Sequence, residues 1–105
     1  MTDYTVSSCE ISSGLTLNSG DELYVRHGGQ AVGTLVNAGA IENISGSSLR
    51  DIVSGGEYVW SGGVTTSATI QVGGYLVVYA NAAASACIVS NGSMTMRSLR
   101  AIRCR

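Results

Sequence analysis

The chain contains no proline, no phenylalanine and no lysine, and charged residues fill only 12% of its 105 positions. With no lysine and a net charge of −1, the body of the chain offers no basic surface for nucleic acid or an acidic membrane. No apolar run approaches the roughly 20 residues of a membrane helix, so membrane insertion is not expected. The opening MTDYTVSS lacks the basic and apolar regions of a signal peptide, so an exported parent would carry its signal elsewhere. His27 is the sole histidine and cannot build a multi-histidine metal site. The cysteines, Cys9, Cys87 and Cys104, are odd in number and lack metal-ligand spacing, which favours free thiols over one internal disulfide. Phosphate-loop, dinucleotide and calcium-nonapeptide signatures are missing as well, and the GDE at Gly20 to Glu22 reads as an acidic corner. No metal and no cofactor are expected.

What is present is glycine, at 14 positions, with abundant Ser, Thr, Val and Ala. Such a composition disfavours helices and favours short strands joined by tight corners. Hydrophobic residues make up 45% of the chain and are evenly spread, which supports one ordered domain of modest core.

The glycines mark a repeat. Aligned corners read LNSGD at Gly20, VNAGA at Gly39, IVSGG at Gly55, IQVGG at Gly73 and VSNGS at Gly92, in nearly even steps of which Gly39 to Gly55 is the shortest. Three positions before each glycine stands an aliphatic residue: Leu17, Val36, Ile52, Ile70 and Val89. A second corner follows at Gly28-Gly29, Gly46, Gly62-Gly63 and Asn81-Ala82, with the strand formers ELYV, IENI, EYVW and YLVV between the two corners. VSSCEISSG, from Val6 to Gly14, is an incomplete earlier copy with Cys9 in a glycine position.

A strand rises about 3.3 Å per residue, so a unit of this length traces a circuit of two or three short strands, and stacked circuits pair in parallel at about 4.8 Å. The fold expected is all-β: a right-handed parallel β-helix or solenoid of about five short coils, with a period of about 16–19 residues and a C-terminal cap. Residues 1–14 form an irregular first coil or edge, 15–93 the repeats, and 94–105 an Arg-rich cap or tail. The expected inward columns are Leu17, Val36, Ile52, Ile70 and Val89; Leu23, Ile41, Tyr58, Leu76 and Met94; and Val25, Ile44, Val78 and Met96. The SGSSLRD segment reads as a tightened corner carrying Arg50. In EYVW the inward face is open, because a one-residue slip exchanges Tyr58 and Trp60 with Glu57 and Val59. If Trp60 points out, it joins Tyr24 and Tyr79 as exposed aromatics on one wall.

In the tail SMTMRSLRAIRCR, Met96, Leu99 and Ile102 fall at helical spacing, with Arg97, Arg100 and Arg103 offset by one. That pattern fits a short amphipathic helix or irregular tail covering the last coil, an arginine stripe for an anionic partner, or vector-derived or frame-shifted sequence.

The repeat, a G-G pair recurring around a valine with flanking Ser, Thr, Asn and Ala, resembles the passenger repeats of AIDA-type bacterial autotransporter adhesins over about residues 5 to 93. The resemblance implies a β-helical stalk displayed on the bacterial surface or secreted, serving adhesion, autoaggregation or biofilm. It also implies heptose on corner serines, added by a glycosyltransferase; the matching positions here are Ser19, Ser54 and Ser90. Corner serines are equally ordinary turn residues.

No catalytic group is expected. Cys9 with His27 would place a nucleophile on the irregular first coil. The acids Asp21, Glu22, Glu42 and Glu57 could line one wall, as in carbohydrate-cleaving β-helices, but the loop insertions that make a cleft are lacking. The chain therefore reads as a structural and interaction module that meets a protein or carbohydrate on a cell surface through Tyr24, Trp60, Tyr79 or Arg97, Arg100 and Arg103. The alternative is a stand-alone, cytoplasmic solenoid that binds a ligand or self-associates through its edges.

Overall fold

The computed structural model describes residues 3–85, 88–89, 93–96 and 102–103, the last two stretches by their backbone. Each repeat closes a circuit of three strands. β1 (Asp3–Val6), β2 (Ile11–Ser13) and β3 (Thr16–Leu17) form the first; β4 (Glu22–Val25), β5 (Gln30–Val32) and β6 (Leu35–Val36) the second. β7 (Ile41–Ile44), β8 (Ser47–Leu49) and β9 (Ile52–Val53) form the third, followed by β10 (Gly56–Val59), β11 (Val64–Thr66) and β12 (Thr69–Ile70) in the fourth. β13 (Tyr75–Val78), β14 (Ala83–Ser85) and β15 (Ile88–Val89) make the fifth, and β16 (Ser93–Met96) and β17 (Ile102–Arg103) continue onto it.

The strands stack into three parallel sheets, which are the walls of a β-solenoid: β1-β4-β7-β10-β13-β16, β2-β5-β8-β11-β14-β17 and β3-β6-β9-β12-β15. The described parts of the C-terminal segment are therefore strands. Met94 and Met96 pair in register with Leu76 and Val78, and Ile102 with Ala84, so no helix forms at either place. Arg97 and Arg100 lie outside the described residues, and Arg103 is described only as part of β17. Among the described residues no helix is long and apolar enough to cross a membrane.

Corners explain the glycine spacing. In the full coils the chain turns through four residues closed by a bond such as Ala40 N–H to Asn37 O (3.0 Å) or Gly63 N–H to Trp60 O (2.8 Å). The third residue of each turn takes a positive φ, for example 87° at Gly39 and 86° at Gly62, the signature of a type II turn. Cys9 holds this place with φ 68°, and its N–H donates to Gly28 O, so its turn stacks with that of Gly28 rather than that of Gly20. A third corner, between the second and third walls, has a left-handed residue at Gly14, Gly33, Arg50 and Ser67.

The third coil is narrower. Ser45-Gly46 alone joins β7 to β8, and Ser54-Gly55 alone joins β9 to β10. These tight corners press on the coil before: a Cβ on Gly55 would sit 2.4 Å from the carbonyl oxygens of Ala40 and Asn37. The SGSSLRD segment thus contains one tight corner, a strand and then Arg50 in the next corner.

The shortening corrects one expected column, and strand parity corrects a second. After Val53 the turn has lost two residues, so the inward residue lies two before Gly55 rather than three. Val53 is buried between Val36 and Ile70, and Ile52 turns outward with 40% exposure. In the first wall Val6, Val25, Ile44, Val59 and Val78 make one buried column, which fixes the parity of every strand. Two residues back stand Leu23, Glu42, Glu57 and Leu76, all buried; Ile41 and Tyr58 face out. The opposing column of the second wall, Ala31, Ser48, Thr65 and Ala84, consists of small residues that accept leucine-sized partners across the core.

Candidate functional site

Outward parity puts Tyr24, Asn43, Tyr58 and Val77 in one row across the first wall. Trp60 and Tyr79 begin the turns that follow β10 and β13, and their rings stack at 4.4 Å between centroids with planes 6° apart. Tyr58 continues the row, 6.1 Å from Trp60, and meets Tyr75 edge-on at 5.7 Å. The Trp60 indole N–H donates to Asn43 Oδ1 at 3.1 Å, and the Tyr58 hydroxyl donates to Tyr75 at 3.2 Å. The Tyr75 ring covers Gly56, where a Cβ would fall 2.5 Å from a ring carbon. Tyr24 belongs to the same face but stands apart; its hydroxyl donates to Glu22 Oε2 at 2.6 Å, and this bond raises the phenol's pKa. The wall is an aromatic platform, and such faces suit sugar rings or apolar side chains.

Among the serines read from the sequence, Ser19 is exposed as the second residue of its turn, with its hydroxyl over Gly39. Ser54 is half-buried in the tight corner and donates to Gln71 Oε1 at 3.0 Å. Ser90 lies outside the described residues. Ser8 and Ser61 share the exposed place of Ser19 in their own turns, a match that emerges only when turns rather than glycines are aligned.

Inside, Glu42, Asp51 and Glu57 converge. Each is fully buried, and one carboxylate oxygen of each lies within 4.8 Å of the others. Glu42 and Ser48 come from the first and second walls of the third coil, Asp51 from the corner between its second and third walls, and Glu57 and Thr65 from the coil above. Thr65 donates to Glu57 Oε2 at 3.1 Å, and Ser48 donates to Thr65 at 2.8 Å while standing 3.1 Å from the same carboxylate. The Thr34 N–H donates to Asp51 Oδ1 at 3.3 Å. Both oxygens of Glu42, Asp51 Oδ2, Glu57 Oε1 and the Thr34 hydroxyl have no partner among the described residues.

Burial pushes the Glu42 and Glu57 carboxyls well above the ordinary value of 4.5, and their acidic neighbours push further in the same direction. Asp51 is raised by burial, against contacts with Glu42, Glu57, Ser48 and the Thr34 backbone. Chemically, the group can share protons or hold a cation.

No protein-family model matches the sequence, and no curated protein matches it. The fold is similar to the crystal structure of a TibA fragment, residues 55–350, hyper-glycosylated by TibC, with a TM-score of 0.80 and 30% identity. The match covers 88% of this chain and 38% of that one, so the chain spans well under half the length of the TibA fragment. The solenoid and its neighbour agree with the repeat type suspected from the sequence.

Trp60 and Tyr79, the wall aromatics named from the sequence with Tyr24, stack on each other, and Tyr58 and Tyr75 beside them were not anticipated. Glu42 and Glu57, expected near one wall, do stack, on its inner face. The signal was available in IENI and GEYV, where a glutamate stands two residues before the inward aliphatic residue.

Proposed function

We propose that the chain is a non-catalytic, adhesin-like solenoid module displayed on the bacterial surface or secreted as part of a longer protein. The likeness to the hyper-glycosylated TibA fragment carries this reading, since it extends over 88% of the chain at 30% identity. In it, the aromatic platform of Tyr58, Trp60, Tyr75 and Tyr79 meets a protein or carbohydrate on a cell surface. A glycosyltransferase decorates exposed turn serines, Ser19 first and Ser8 and Ser61 by the same geometry. Ser54 is a poorer acceptor, because its hydroxyl is half-buried and engaged by Gln71. Mass spectrometry of protein from its native host tests this: sugar additions on Ser19 or Ser61 support it, and an unmodified intracellular protein removes it.

Self-association through the solenoid edge is a second reading. The free sides of β1, β2 and β3 have no strand partner among the described residues, and a cavity of about 270 Å³ opens there between Tyr4, Ile11 and Leu15. Sedimentation at high concentration decides it, since a strict monomer would exclude edge pairing.

A further inference from the structure

We propose that Glu42, Asp51 and Glu57 form an interior site for one calcium ion, taken up as the solenoid folds. The donors are all oxygen: three carboxylates, with the hydroxyls of Ser48 and Thr65 beside Glu57 and that of Thr34 in the corner stacked on Asp51. Calcium accepts six to eight such ligands at about 2.3–2.6 Å. Ligand atoms on a sphere of about 2.4 Å radius lie at most about 4.8 Å apart, the limit within which one oxygen of each carboxylate falls here.

The unpartnered atoms point the same way. Asp51 and Glu57 each have one oxygen engaged by protein donors and the other free, as expected of carboxylates oriented by outer contacts toward a metal. Neither oxygen of Glu42 meets a protein donor, its near polar neighbours being the Asp51 and Glu57 carboxyls, and the residue has no exposed surface at all. An unpaired polar group in such a place is costly, and an unpaired charge more so. No described side-chain cation offsets the three: the basic residues whose side chains are described are Arg26, His27 and Arg50, all exposed. Magnesium usually keeps several of its waters and takes only one or two carboxylates, fewer than the three gathered here, and zinc favours the nitrogen and sulfur ligands absent from this cluster. This proposal is independent of glycosylation and of the outer wall.

The test is refolding of the chain from urea after chelator treatment, with calcium chloride, magnesium chloride or chelator at neutral pH, followed by desalting and metal analysis. One calcium per chain is expected to survive desalting, with a thermal midpoint roughly 5 °C or more above that of the chelator sample. The Glu42→Leu/Asp51→Asn/Glu57→Leu variant extends the leucine column and is expected to fold, retain no calcium and melt at one temperature in all three buffers. Should that variant not fold, Glu42→Gln, of nearly equal shape, is expected to weaken calcium binding at least tenfold in calorimetry. Equal midpoints and no retained calcium in the unsubstituted chain overturn the proposal and leave the cluster held by protons. Unchanged calcium binding in either variant overturns it too, by placing the ion elsewhere.

Discussion

Glu57 lies directly on Glu42 in adjacent coils of the first wall, in a column that Leu23 enters from one side and Leu76 from the other. Two acids thus occupy leucine positions in a core otherwise made of aliphatic, alanine and small hydroxyl residues, with Asp51 beside them and Asp21 in a corner.

This pairing fixes a pH dependence for the calcium-free protein. Both glutamates have native pKa values raised above the ordinary 4.5, so the native state binds more protons than the unfolded one. Their contribution to stability is complete below 4.5 and is lost as pH climbs through the raised native values. Urea midpoints measured in chelator are expected to fall with rising pH across that window. Glu42→Leu/Glu57→Leu should flatten the slope and add about 1–4 kcal/mol at neutral pH. A midpoint that rises with pH would contradict this account.

Gly55 and Gly62 separate steric from conformational cost. At Gly55 a methyl group meets two backbone carbonyls, so Gly55→Ala should lose about 2–3 kcal/mol in chemical denaturation. At Gly62 there is open space but φ is 86°, so alanine there should lose only about 1–2 kcal/mol. Equal losses would show that the tight corner relaxes freely.

Arg50 takes φ 58° in the corner where Gly14 and Gly33 stand in earlier coils. Replacing it by glycine relieves the left-handed strain while adding chain entropy to the unfolded state, for a net gain of about 0.5 kcal/mol. A thermal midpoint that drops in Arg50→Gly would show instead that the arginine side chain stabilises this corner.

Trp60→Ala removes the Tyr79 stack, which should cost about 0.5–1.5 kcal/mol. The same change should abolish binding of any glycan or protein ligand found for the aromatic wall. Titration against a glycan array, with Tyr24→Ala as the comparison, reads this directly, because Tyr24 stands apart from the stacked rings.

The solenoid is legible in the sequence because glycine spacing, aliphatic columns and strand formers all repeat together. Val25, Ile44 and Val78 fall where that pattern puts them. Ile52 does not, because alignment on glycine assumes turns of constant length, and the corner at Ser54-Gly55 is two residues shorter than that at Asn37 to Ala40. Ile41 and Tyr58 depart from the pattern because apolar character does not by itself mean inward. Parity set by Ile44 and Val59 overrides it, turning Ile41 and Tyr58 outward and Glu42 and Glu57 inward. Asp51 cannot be joined to Glu42 and Glu57 by spacing, since corners intervene on both sides and only the closed circuit brings the three together.

The narrow third coil has a consequence for inheritance. The first two coils are interchangeable: Asp3 to Glu22, Ile11 to Gln30 and Thr16 to Leu35 are equal steps along the chain. Copying one such step, from Leu15 to Gly33, would lengthen the solenoid by a coil and leave every wall in phase. From the third coil to the fourth the steps are unequal, Ile41 to Gly56 in the first wall being shorter than Ser47 to Val64 and Ile52 to Thr69 in the other two. The acids straddle that junction, with Glu42 and Asp51 below it and Glu57 above. Glu42 and Glu57 share one column position, so an in-phase copy of the coil that begins at Glu42 would set another glutamate above Asp51 and lengthen the acidic column along the solenoid axis.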